Sequence, residues 1–212
     1  MTHIASVILE TPDPVAAERF YSAAFGLGDQ LQVRAADAPA SGFRGFILSL
    51  VAAQPNIVDA LIDAASRRGA TTLKPATRSF WGYGGVLQAP DGAIWKIASS
   101  AKKNSGPATR QIDDFVLLLG VADVNAAKQF YLDHGLPVAK SFGSKYVEFD
   151  SAGSPVKLAL YSRRAAAKDA GIAADGTGSH RLVITGASTP FTDPDGFAWE
   201  AATTSAARAT SP

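Results

Sequence analysis

A chain of 212 residues is long enough for one large domain or two of about 100 residues each, with 47% apolar and 18% charged residues excluding disorder along its length. A net charge of +1, its signs interspersed, leaves no electrostatic footprint for nucleic acid or an anionic membrane. Cysteine is absent, which excludes thiol catalysis, disulfides and thiolate metal sites; no run approaches the ~18 apolar residues of a membrane span, and a cytoplasmic protein is expected.

The first expected element is an apolar strand at 5–9. Asp13 is placed to cap a helix, Pro14 suits its first position, and Gly26 suits a left-handed end. A strand at 46–51 follows, then a helix at 57–68 with Asn56 as its cap and Gly69 beyond its end. A strand around 85–87 leads to the turn Pro90-Asp91-Gly92 and a strand ending near Ala98. Polar and small residues then mark a linker. Beyond it come a strand at 115–119, a helix capped by Asp123, and an Ala/Gly-rich excursion at 165–179, read as a partial helix with a flexible loop or as a lid. The turn Pro194-Asp195-Gly196 and a strand ending near Ala202 close the series.

Two of these elements occur twice. Asp13, Ala16-Ala17 and Phe20-Tyr21 recur at the same spacing as Asp123, Ala126-Ala127 and Phe130-Tyr131. Pro90-Asp91-Gly92 with Trp95 recurs as Pro194-Asp195-Gly196 with Trp199. The offsets are 110 residues from Asp13 to Asp123 and 104 from Asp91 to Asp195, so one duplicated unit explains both.

A strand, a capping Asp, a helix carrying Phe-Tyr and ending in Leu-Gly, the segment Phe80-Trp81-Gly82-Tyr83-Gly84-Gly85 and the Pro-Asp-Gly turn together resemble the vicinal-oxygen-chelate superfamily of glyoxalases, bleomycin-resistance proteins and extradiol dioxygenases. The resemblance covers most of residues 3–202. It implies an α+β fold of tandem domains built of βαβββ modules: a glyoxalase-like domain at 1–100, a linker at 101–110, a trimmed glyoxalase-like domain at 111–203 and a flexible tail at 204–212. The second domain is trimmed because His180 to Asp193 is too short for the helix of the first copy.

The superfamily commonly holds a divalent metal in a cupped sheet, through His, Gln or Glu on first strands and Glu on a last strand, and a substrate with two adjacent oxygens completes the coordination. Carried onto this chain by spacing, the first-strand positions fall on Ser6, Phe46, Val116 and His180, and the last-strand positions on Lys96 and Glu200. The first domain then resembles a metal-free copy, whereas His180 and Glu200 of the second are candidate ligands for a divalent metal. Two ligands are fewer than the usual three. A swapped pairing of modules would bring Ser6 or Glu10 to His180 and Glu200, and the sequence leaves that pairing open.

Lys96 is expected to point into the first cup, where a cation could hold a carboxylate or phosphate, or to run its stem along apolar surface toward water. Phe46, Trp81, Tyr83 and Ser6 join it as candidate ligand-binding residues. His3 reads as a terminal residue and His134 as a cation at a helix end. The expected function is metal-independent binding of a small organic, anionic molecule in a cup. The alternatives are metal-assisted lyase, isomerase or dioxygenase chemistry using His180 and Glu200, and a purely structural or protein-interaction role.

Overall fold

A computed structural model describes residues 3–201. Strand β1 (Ser6–Thr11) leads to helix α1 (Pro14–Ala24), where the Asp13 carboxylate accepts the Ala16 N–H at 2.9 Å and Pro14 fills the first turn. A 3-10 turn (Gly28–Gln30) precedes β2 (Leu31–Ala35), β3 (Ala40–Gly42) and β4 (Phe46–Val51). Helix α2 (Pro55–Ser66) starts before the expected position: Gln54 takes the cap position, Asn56 lies inside the first turn, and Pro55 sets that turn's φ. Strands β5 (Thr71–Ser79), β6 (Gly82–Gln88) and β7 (Ile94–Ser99) complete the first half.

The second half opens with β8 (Asp114–Val121) and α3 (Val124–Asp133), whose cap Asp123 accepts from the N–H groups of Asn125 and Ala126. Strands β9 (Val138–Ser141), β10 (Tyr146–Phe149) and β11 (Lys157–Ser162) follow. The Ala-rich stretch forms α4 (Arg163–Ala170), capped by Ser162 and ended by Gly171 in the left-handed region. Then come β12 (Gly176–Gly178), β13 (Leu182–Ala187), β14 (Phe191–Thr192) and β15 (Ala198–Ala201). The expected tail at 204–212 lies outside the described residues.

These strands form an eight-stranded sheet, β5-β6-β7-β4-β8-β11-β10-β9, a five-stranded sheet, β14-β15-β13-β1-β2, and a ribbon of β12 with β3. The joints decide the architecture. β4 pairs antiparallel with β8, setting Phe46 opposite Leu119, and β1 pairs antiparallel with β13, setting Ser6 opposite Thr185. Each sheet therefore draws strands from both sides of the 101–110 linker, and the module pairing is the swapped one. Neither 1–100 nor 111–203 keeps its strands in a sheet of its own. Side-chain alternation fixes which face of a strand is buried but not which strand lies beside it.

One apolar core joins both sheets. Val7, Leu9, Ile184 and Trp199 of the smaller sheet belong to the same cluster as Leu48, Trp95, Leu117 and Leu160 of the larger one, together with residues of α1, α2 and α3. The duplicated motifs are the two halves of a latch in this core. The Tyr21 hydroxyl donates to the Asp91 carboxylate at 2.8 Å, fastening α1 to the turn before β7. In the second copy Tyr131 donates to Asp193 at 2.6 Å, two residues before the aligned Asp195, which instead accepts the Ala122 N–H. Burial first, and then the neighbouring carboxylate, push both phenols well above their ordinary pKa. No helix among the described residues is long and apolar enough to cross a membrane.

Candidate functional site

Each sheet has an outer face, turned away from the shared core. On the larger sheet this face carries Ile47, Val86, Ile94, Leu118 and Ala159, with Leu73, Val116, Tyr146 and Tyr161 packed beside them. Alternation puts Lys96 here too, because its neighbours Trp95 and Ile97 belong to the main core. The face is covered. Helix α4 lies on it through Ala166, Ala167 and Ala170, and Ile172 and Ala174 continue the contact. Gly120 makes the close approach possible, since a Cβ there would lie 3.1 Å from Gly45 O and 3.2 Å from Ala166 Cβ. The segment expected as a partial helix with a flexible loop, or as a lid, is thus a packed helix followed by a strand of the ribbon.

Ion pairs Lys157–Asp114 and Lys140–Glu148 lie on this face, and a further group of polar side chains gathers at the C-terminal end of α4. Lys96 Nζ lies 2.7 Å from Asp169 Oδ2. Lys74, from β5, donates to the carbonyls of Lys168 and Asp169 at 2.8 and 2.6 Å. Tyr161 stands within range of both Lys96 and Asp169; burial is the first cause of its raised pKa, which Lys96 lowers and Asp169 raises. Among the described residues the Tyr161 hydroxyl makes no hydrogen bond, and its ring packs against Tyr146 at 5.1 Å. The Tyr146 hydroxyl donates to Glu148. Two cations and an unengaged phenol therefore border an apolar surface.

The outer face of the smaller sheet is polar. Ser6 and Thr185 hydroxyls lie 2.8 Å apart, and Gln32 donates to Ser6 at 3.2 Å. Arg34 bridges Glu10 at 2.6 Å and Glu200 at 3.1 Å. Thr185, not His180, is the second-copy partner of Ser6 in the strand register.

The expected ligand-binding residues do not converge. Lys96 reaches the outer face of the larger sheet, but Phe46 points the other way, into the main core. Tyr83 packs against that core and donates to Asp59 at 2.7 Å. Trp81 stands at the β5–β6 hairpin tip, 84% exposed beside Phe80, and floors no pocket. Ser6 belongs to the other sheet. Depressions of about 460 and 230 Å³ flank Leu27, but neither is the face that holds Lys96.

The candidate metal ligands do not converge either. The His180 ring has Nδ1 2.5 Å from Arg44 O and Nε2 2.9 Å from Asp195 O, so both of its nitrogens face backbone carbonyls. Glu200 is engaged by Arg34, and no group of three His, Asp or Glu placed to hold an ion occurs among the described residues. Residues at the metal-bearing positions do not fit a divalent ion. On the smaller sheet they are two mutually bonded hydroxyls and a carboxylate paired with arginine, and on the larger sheet they are Val116, Ser49 and Lys96, an aliphatic side chain, a hydroxyl and a lysine. Of the other histidines, His134 caps the end of α3 and donates to Phe130 O, and His3 is exposed.

Sequence reasoning missed Lys74, Tyr161 and Asp169. Tyr161 had a signal, since it alternates with Leu158 and Leu160 and so shares a face with Ala159. Lys74 and Asp169 had none, because only the long-range docking of α4 brings them to Lys96.

No protein-family model matches the chain, and no curated protein matches it. Solved structures do. Glyoxalase I from Zea mays superposes with a TM-score of 0.61 over 95% of this chain and 92% of that one, at 12% identity. A putative dioxygenase from Bacillus subtilis gives a TM-score of 0.55 over 87% of this chain and 70% of that one, at 11% identity. At such identities the likeness is one of fold.

Proposed function

We propose, for a chain that has the vicinal-oxygen-chelate fold, that it binds a small organic anion without a metal, on the outer face of its eight-stranded sheet. One observation carries this reading: Lys96 and Lys74 are both directed at the last turn of α4, over the apolar centre of this face, beside a phenol that makes no hydrogen bond among the described residues. Ligand sites combine apolar walls with a few convergent polar groups, and here the walls are Ile47, Val86, Ile94 and Leu118. Lys96 supplies the orienting charge and Tyr161 a hydroxyl donor. The matching ligand has a carboxylate or phosphate head and an aromatic or aliphatic body. No observation favours metal-assisted lyase, isomerase or dioxygenase chemistry through His180 and Glu200, whose polar atoms are engaged elsewhere.

The test is calorimetric titration of wild type and Lys96→Met with benzoate and phenyl phosphate. Methionine keeps the stem's volume and removes the charge. A charge-assisted hydrogen bond contributes about 1.5–3 kcal/mol, so affinity is expected to fall roughly tenfold to a hundredfold while the melting temperature of the free protein stays close to wild type. Equal affinities, or no binding by wild type, would overturn the reading.

A further inference from the structure

Helix α4 holds the surface that the proposed ligand needs, and its manner of holding it is specific. The apolar part of the contact is made by three alanines, Ile172 and Ala174. The polar part is concentrated in one turn. There the Asp169 carboxylate meets Lys96, and the carbonyls of Lys168 and Asp169 meet Lys74. Cations near a helix C-terminus are favoured by its dipole. To Lys168 in the last turn of α4 the sheet adds Lys74 from β5 and Lys96 from β7, with the Lys74 stem lying so close to Gly171 that a Cβ there would sit 2.6 Å from its Cε. Chemically, the sheet is presented with a carboxylate flanked by carbonyl oxygens.

We propose that α4 is a built-in competitor: Asp169 occupies the anion position on Lys96, and a small carboxylate with an apolar body binds by displacing the last turn of α4. This rests on the binding reading given above and adds what the ligand must replace. It follows that the ligand competes with a tethered group, and that affinity is reduced in proportion to the fraction of molecules in which α4 is seated. Tyr161, on the same face, has its hydroxyl available to the incoming carboxylate.

The experiment titrates benzoate into wild type, Asp169→Asn, Gly171→Ala and Lys96→Met, and follows amide hydrogen exchange over 163–174 with and without benzoate. Asp169→Asn removes the competing charge and is expected to bind benzoate about tenfold more tightly than wild type. Gly171→Ala strains the same turn, at φ +77°, and presses on the Lys74 stem while removing no charge, and is expected to move affinity in the same direction. Benzoate is expected to speed exchange in the last turn of α4 in wild type, and Lys96→Met to bind poorly throughout. If wild type, Asp169→Asn and Gly171→Ala all bind equally, and exchange in α4 does not change, the competitor is overturned while the binding reading stands. If none of the four proteins binds benzoate, both fall.

Discussion

The imidazole of His180 lies between two carbonyl oxygens, with Nδ1 facing Arg44 O and Nε2 facing Asp195 O, each within hydrogen-bond distance. It also stacks on Phe197 at 4.0 Å. Arg44 leads into β4 of the larger sheet and Asp195 lies in the turn before β15 of the smaller one, so a single side chain ties the two sheets. His180→Ala would remove the ring from between them, and a loss of about 3 kcal/mol is expected in urea unfolding. A loss under 0.5 kcal/mol, the range of a surface substitution, would show that the ring bears no load. The residue stood out in the sequence as a histidine with metal-ligand spacing. Its actual partners are backbone atoms 136 and 15 residues away, which no side-chain motif can announce.

Among the elements, those with local causes were legible and those with remote causes were not. Asp13 and Asp123 cap their helices because the cap hydrogen bond closes within three residues. At α2 the same reasoning chose Asn56, but the Gln54 side chain is engaged with the linker. Its amide donates to the carbonyls of Gly106 and Pro107, and its oxygen accepts from the N–H and hydroxyl of Ser105. The linker is thereby fastened to the start of a core helix. Gln54→Ala is expected to cost about 1–3 kcal/mol and to make 101–110 the first site of limited proteolysis. Cleavage no faster than in wild type would assign the linker's order to other contacts. Phe46 was assigned to the wrong face because β4 is largely buried on both sides, so it has no polar alternation to read. Helix α4 was half legible for a related reason, since alanine pairs equally well with solvent and with a close-packed sheet.

At the scale of the molecule, the α+β class and the repeated unit followed from the sequence, while the swapped joints β1–β13 and β4–β8 did not. Alternating patterns record burial, and the two possible pairings bury the same faces. The site suffered most from this, because residues mapped as neighbours within one half lie on different sheets or opposite faces. All five tyrosines, at 21, 83, 131, 146 and 161, whether in the core or on the outer face, have their pKa raised above the ordinary 10.0. Burial is the first cause at every one except Tyr83, where the hydrogen bond to Asp59 leads. Groups with a raised folded pKa contribute stability that is whole below the unfolded value, here about pH 10, and is lost as pH rises through the folded values. In alkaline titration the phenolate absorbance is therefore expected to rise together with unfolding. A folded protein that ionised most of its tyrosines near pH 10 would contradict these environments.

The joint between β1 and β13 also sets a timetable for the nascent chain. Ser6 is made well before its partner Thr185, which lies 179 residues later. At ~5–20 residues per second the ribosome takes roughly 10–35 s to deliver that partner. Until then β1 can pair with β2 but presents its other edge bare, and a bare apolar edge is a template for strands of other chains. The β4–β8 joint waits less, since Leu119 follows its partner Phe46 by 73 residues. Synthesis thus allows β4 to meet β8 before β1 can meet β13, so that slower translation lengthens the interval in which β1 is exposed.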